Sequence, residues 1–305
     1  MSDWTSVLKA NPSSSLLESA SIGLKNRMLR DVICSGDGYP EEPVVEDSVY
    51  KSISRRQKPD GSWREAGSKK NDEMWTFIAT LKSLYLLLDL GSNMDDEIFE
   101  LGVKYLLAFQ SKDGDFRGVY GHDIPAPDYT GMALDILFRG NFDNDSVVEK
   151  SFDWLISVRR KGEGWAIPAL RSKSKNDPSS HNVTGMVLRG FASDPKKRYK
   201  EEAEKAGRLL ANCIFKPDKY PDRRGVEYWG KLAYPFWFTD ALSTLDVLSR
   251  LGFDLSVDEM KRAYNWILKQ QSESGYWKSG PTRREEKPDP WLTYAALRTI
   301  KSLTD

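Results

Sequence analysis

The chain has 305 residues, with 45 Lys+Arg against 45 Asp+Glu, so its formal net charge is zero, which disfavours a broad electrostatic claim on nucleic acid or an anionic membrane though not a local patch. Charged residues make up 30% and aromatics 11%, including 10 Trp, which must pack in a core or line a site. Cys34 and Cys213 are far apart and fit no metal spacing, so they are expected to be reduced thiols in a cytoplasmic protein.

The N-terminus is polar, with no apolar stretch of signal-peptide type. The first apolar-periodic segment falls near residue 22, between Leu16 and Ile33. A second helical stretch follows at about 44–57. It ends in Gln57-Lys58-Pro59-Asp60-Gly61-Ser62-Trp63, where Gly supplies the positive φ needed to leave a helix. Met74-Trp75-Thr76-Phe77 then opens a helix with Ile78, Leu81, Leu84 and Tyr85 on one side. The run 84–88 is the longest apolar one and is too short to span a bilayer.

The pattern now repeats. A helix over about 96–110 starts beyond Asn93 and ends in the turn Gln110-Ser111-Lys112-Asp113-Gly114-Asp115-Phe116. Asp95, Asp96 and Glu97 at its start complement the helix dipole, which favours a capping role over metal binding. Asp128-Tyr129-Thr130-Gly131 opens the next inner helix, 144–160 is its partner, and a degenerate turn leads to Gly164-Trp165. Asn182-Val183-Thr184-Gly185 and 197–214 form another pair, with loops over 171–179 and 216–224. Trp237-Phe238-Thr239-Asp240 follows, without a clear turn of the same kind before it. The helix at 256–271 ends in Gln271-Ser272-Glu273-Ser274-Gly275-Tyr276-Trp277, and Trp291-Leu292-Thr293-Tyr294 opens the last helix.

The threonines at 76, 130, 184, 239 and 293 are 54, 54, 55 and 54 residues apart. Counting back one step gives a sixth helix near 22. Six helix pairs in sequence suit a closed ring of inner and outer helices, because a closed ring has no end to cap. The expectation is one all-α domain over 1–305, an (α/α)6 toroid of two concentric rings.

The Gln-x-x-Asp-Gly-x-Trp turn at 57–63 resembles the QW motif of squalene-hopene cyclases, and the repeat resembles that of the prenyltransferase and squalene-cyclase family over about 15–303. The resemblance implies a terpenoid-cyclase-like toroid that binds an isoprenoid or another small molecule in an aromatic-lined cavity. The Asp-x-Asp-Asp acid motif of class II cyclases is absent. Neither Cys lies beside the Asp and His of a prenyltransferase zinc site, so no metal or cofactor is expected.

Candidate site residues come from the positions that vary between repeats. Two before and one after each Thr share a helix face. If that face points inward, the mouth at the helix N-termini carries Asp128, Asn182, Trp237, Asp240, Trp291 and Tyr294, with Trp75 as a further aromatic. His181 and His122 precede two of these helix starts. Asp240, Asp128 and His181 are the expected acid–base groups, and Trp237, Trp291, Tyr294, Asn182 and Trp75 the expected ligand contacts. Capping is the competing reading for both aspartates. Arg223, Arg224, Lys231, Arg283 and Arg284 lie in loops that would meet a diphosphate or a uronate. Two other functions fit the same residues: a carbohydrate-active or glycan-binding toroid, and a non-catalytic scaffold with a protein partner. Whether the chain is an enzyme stays open on the sequence.

Overall fold

The computed structural model describes residues 4–34, 42–64, 73–121, 123–167, 174–221, 223–280 and 288–304. The described residues contain twelve α-helices and no strand, only two isolated β-bridges. Six helices form the inner ring: α2 (Ile22–Arg27), α4 (Glu73–Leu90), α6 (Pro127–Arg139), α8 (His181–Ser193), α10 (Ala241–Arg250) and α12 (Pro290–Thr304). Each packs on the next, and α12 packs on α2, so the ring closes. The outer helices are α3 (Ser48–Ser54), α5 (Glu97–Leu107), α7 (Asp145–Val158), α9 (Lys200–Cys213) and α11 (Asp258–Lys269). A short helix α1 (Ser13–Ser19) precedes α2, and α2 runs on into a π-helical turn, Met28–Ile33.

The inner helices are buried almost all round, while outer helices such as α11 bury one stripe, Met260, Ala263, Tyr264 and Ile267. Asp96, Asn144, Ser180 and Asp240 cap α5, α7, α8 and α10 with side-chain oxygens. The cap of α5 sits three residues beyond the expected Asn93, because the carboxyl that reaches the second helical N–H decides the start. Asp96 also accepts a hydrogen bond from the Tyr50 hydroxyl, so the acidic run serves the outer ring. Helices α6 and α8 approach closely because both carry glycine at the contact. A Cβ on Gly131 would lie 2.4 Å from Val187 Cα, and one on Gly190 would lie 2.8 Å from Gly131 O.

The repeating turns stitch the rings together. The Gln57, Gln110 and Gln271 amides donate to the carbonyls of Ile98, Val147 and Ala10, each on the neighbouring outer element. The last of these closes the ring from C- to N-terminal repeat. Gly61, Gly114 and Gly275 have φ of +85°, +113° and +85°, as the turn reading expects. Behind each turn the backbone N–H of the aromatic donates to a buried threonine: Trp63 to Thr80, Phe116 to Thr130, Trp165 to Thr184 and Trp277 to Thr293.

That bond corrects the register. Thr80, not Thr76, holds the first turn, and in α10 the equivalent is Thr244, not Thr239. Thr239 lies before the helix and donates its hydroxyl to Asn182 O. The even step of the sequence alignment was real for three threonines and coincidental for two.

Candidate functional site

With the corrected register, one position recurs on the inner face. The residue five after each of these threonines is Tyr85, Asp135, Arg189, Ser249 or Arg298, and every one lines the central cavity. The cavity has two adjoining chambers that share Arg139, Asp246, Arg250 and Arg298. The inner chamber, about 200 Å³, is also lined by Tyr85, Asp89, Asp135, Arg189 and the segment Tyr234, Pro235 and Phe236. The outer one, about 370 Å³, adds Arg27, Arg30, Asp31, Ser249, Tyr294 and Ser302. Arg139 and Arg250 end α6 and α10, so the outer chamber lies at the C-terminal ends of the inner helices. Arg30 and Asp31 project from the π-helical turn, a distortion that is frequent at functional sites.

The N-terminal side is filled. Residues 231–239 run in from the 3-10 helix Val226–Gly230 and meet the first turns of α6, α8 and α12. The Tyr234 ring stacks on Trp291 at 6.1 Å, its edge meets Tyr294, and its hydroxyl donates to Asp89 Oδ1 at 2.8 Å. The Arg189 guanidinium donates to the carbonyl oxygens of Phe236 and Phe238. Trp237 packs its edge on Tyr129, with the Lys82 ammonium 5.5 Å from its ring centre.

Inside the cavity, charges alternate. Arg139 donates to Asp89 Oδ1 at 2.8 Å and lies 3.7 Å from Asp135. Arg298 pairs with Asp246, and Arg250 lies 3.4 Å from Asp246 and 3.5 Å from Asp135. The Tyr294 hydroxyl donates to Asp31, which also pairs with Arg30 at 2.9 Å. Arg27 donates to the carbonyls of Leu88 and Asp89, at the end of α4. Burial pushes the Asp89 carboxyl above its ordinary range, against the pull of Arg139. Burial acts the same way on Asp246, but Arg298 and Arg250 outweigh it and hold that carboxyl low. Burial also raises the Tyr85, Tyr234 and Tyr294 hydroxyls well above the usual phenol value.

The sequence-derived candidates fall in several places. Tyr294 lines the cavity, and Trp291 backs it through Tyr234. Asp240 is buried at the start of α10, where its carboxylate accepts from Ser243 N–H and the Ser243 hydroxyl accepts from Asp240 N–H, a reciprocal cap. Its other oxygen meets Ala233 N–H at 3.3 Å, and burial raises its pKa to about 6. Asp128 is buried and accepts from the Tyr120 hydroxyl at 2.7 Å. So each aspartate has its own local partner. Asn182 accepts from Thr239 N–H, joining α8 to the stretch before α10. His181 is buried against Trp229, ring centres 4.6 Å apart, with Asp218 3.5 Å from Nδ1; burial lowers its pKa. Trp75 is half-buried in the first turn of α4. His122, Arg283 and Arg284 lie outside the described residues. Arg223 stacks on Tyr228 and Phe238, and Lys231 on Tyr228, at the edge of the filling segment.

Sequence reasoning missed the ten charged residues of the cavity. A signal was present: Asp89, Asp135, Arg189, Asp246 and Arg298 each interrupt an apolar helical run, and Asp135–Arg139 and Asp246–Arg250 are i,i+4 pairs. Charge inside an otherwise apolar buried helix needs a partner or a cavity.

Among the described residues no helix is long and apolar enough to cross a membrane, and no three His, Cys, Asp or Glu side chains cluster as metal ligands do. A family model described as the prenyltransferase alpha-alpha toroid domain matches residues 32–192 and 218–305. No curated protein sequence matches the chain. Among solved structures, the type II terpene cyclase MstE from Scytonema is 12% identical, with 83% of this chain and 95% of that one covered and a TM-score of 0.39. A polysaccharide lyase is 11% identical over 83% of both chains, with a TM-score of 0.45. A protein from Actinoplanes is 13% identical over 84% of this chain and 98% of its own, with a TM-score of 0.33. Similarity at this level carries no inference about activity.

Proposed function

This chain belongs to the prenyltransferase α/α-toroid family, and on that premise we propose that its central cavity binds a small ligand carrying an acid group. One observation carries the reading. Six arginines and four aspartates line the two chambers, so the cavity holds more positive than negative charge in a place partly withdrawn from water. Arg189 is 3% exposed and meets backbone carbonyls, with no carboxylate at ion-pair distance among the described residues. Its charge is therefore incompletely balanced, and an anion beside it offsets the cost of burial. Bidentate guanidinium contacts suit carboxylate and phosphate groups alike.

An isoprenoid chain is a poorer match. Pro235 and Phe236 are the apolar lining residues, and the three tyrosines each point a hydroxyl into a hydrogen bond. Of the residues chosen from sequence, Tyr294 contacts the ligand in this reading, while Trp291 fixes the wall. Asp240, Asp128, Asn182 and His181 hold the helix starts. The thiols of Cys34 and Cys213 are free, in keeping with a cytoplasmic setting.

Calorimetric titration with inorganic pyrophosphate, glucuronate, glucose and geraniol tests the proposal. The two acids should bind, more weakly as salt rises. Arg30→Gln, at the half-open end, should weaken both by about tenfold, the scale of one charged hydrogen bond. Equal binding of geraniol, or no binding of either acid, would overturn it.

A further inference from the structure

The two chambers differ in a way that orients a ligand. The outer chamber has five arginines to two aspartates, Asp31 and Asp246. The inner chamber has four arginines to three aspartates, and two tyrosines besides. An acid group is therefore drawn to the outer chamber, where the surplus positive charge is larger. The part of the ligand that enters the inner chamber meets donors and acceptors in near balance.

We infer that the ligand is a hydroxyl-rich acid, a sugar acid or sugar phosphate, seated with its acid group in the outer chamber and its polyol ring in the inner one. This rests on the acid-binding reading above and adds the nature of the rest of the molecule. Asp89 carries the argument furthest. It is 3% exposed, its Oδ1 takes bonds from Tyr234 and Arg139, and its Oδ2 has no hydrogen-bond partner among the described residues. Asp135, across from it, has Arg139 at 3.7 Å from Oδ2. A hydrocarbon tail placed here would strip water from both carboxylates and return no hydrogen bond. Ring hydroxyls return them, donating to carboxylates and accepting from Arg139 and Arg189. The Tyr234 ring, stacked on Trp291, and Phe236 give the apolar faces on which the C–H side of a sugar ring rests.

The test is calorimetry on the full chain with five probes. Glucuronate and glucose 6-phosphate carry both features, inorganic pyrophosphate the acid alone, glucose the polyol alone, and geranyl diphosphate an acid on a hydrocarbon. Glucuronate or glucose 6-phosphate should bind about tenfold or more tighter than pyrophosphate, geranyl diphosphate and glucose. The better of the two identifies the acid as carboxylate or phosphate. Tightest binding of geranyl diphosphate would overturn this inference and leave the acid-binding reading intact. Glucose binding as tightly as glucuronate would overturn the acid reading itself. Asp89→Asn should weaken the hydroxylated acid by more than it weakens pyrophosphate. If that variant melts early, Tyr85→Phe replaces it, with the same difference expected between the two probes. An equal loss for both probes would assign these side chains to the structure of the ring and overturn the inference.

Discussion

Three turns of the ring, at 57–63, 110–116 and 271–277, share one geometry, and the corresponding stretch from 216 to 240 has another. In the first three, a glutamine, a left-handed glycine and an aromatic fasten one repeat to the next. In the fourth, Trp229 still reaches a carbonyl through Nε1, but that carbonyl is Lys216 O, thirteen residues back. In the regular Trp turns the same indole bond spans ten. The chain gained there runs into the ring and supplies Tyr234, Pro235 and Phe236 to the cavity wall. Regular repeats build the enclosure, and the irregular one shapes what is enclosed. The degenerate turn at 160–165 lies between these cases. It keeps the Trp165 bonds to Leu155 O and Thr184, but its left-handed residue is Glu163, with φ of 75°.

Glycine substitutions give the largest contrast between the two regions. A Cβ on Gly61 would lie 2.1 Å from Leu101 O, against rigid helix backbone, at a φ of +85°. Gly61→Ala should cost about 3 kcal/mol or more in urea unfolding, since neither the backbone nor its neighbour yields easily. Gly225, within the irregular stretch, has φ of −68°, and the atoms nearest its Cβ would be the far end of the exposed, flexible Glu227 side chain. Gly225→Ala should change stability by less than about 0.5 kcal/mol. Equal costs would mean that the irregular stretch is held as tightly as the turns.

How legible this was in the sequence follows the same division. The ring was readable because three repeats spell their turn with Gln, Gly and an aromatic, and because the threonines of α6, α8 and α12 recur at a step of about 54 residues. The register failed at Thr76 and Thr239, where a second threonine stands four or five residues on and only a hydrogen bond tells them apart. The cavity was harder to see. Its position depends on which helix face points inward, and an error of four residues in α4 and five in α10 blurs that face. The filling of the N-terminal side by 231–239 has no local sequence signal, because it is fixed by long-range contacts such as Tyr234 to Asp89. The face two before each threonine serves helix starts and inter-helix contacts instead, as Asn182 shows.

The next effect concerns Asp240, where the irregular stretch ends. Its folded pKa is raised from 3.8 to about 6 by burial. A group raised in this way adds stability below its unfolded pKa, near 4, and loses it as pH rises through about 6. The shift corresponds to about 3 kcal/mol at most. Asn caps a helix as well as Asp and does not ionise. Asp240→Asn should therefore be about as stable as wild type at pH 4, where the buried carboxyl is neutral, and more stable than it by about 2 to 3 kcal/mol at pH 8. Unfolding measured at both values checks this, and a pH-independent difference would show that the buried carboxylate is not strained by ionisation.

The smallest effect is the sharpest test of the comparison, because it uses the same substitution in both regions. Thr130 accepts a hydrogen bond from Phe116 N–H at 2.9 Å and donates to Ala126 O at 2.8 Å. Thr130→Val removes the acceptor and leaves a buried N–H without a partner, so it should cost about 1 to 3 kcal/mol. Thr244 occupies the equivalent place in α10 and is fully buried, yet its hydroxyl has no partner among the described residues. No turn aromatic arrives there to use it, since the 3-10 helix Val226–Gly230 stands where the turn would be. Thr244→Val exchanges a buried, unsatisfied hydroxyl for a methyl of similar size, so it should be neutral or stabilise the protein by up to about 1 kcal/mol. Thermal unfolding of the two variants side by side reads the difference. A loss at Thr244 as large as at Thr130 would mean that the fourth repeat retains the bond of the others, and the division between enclosing and cavity-shaping repeats would fall.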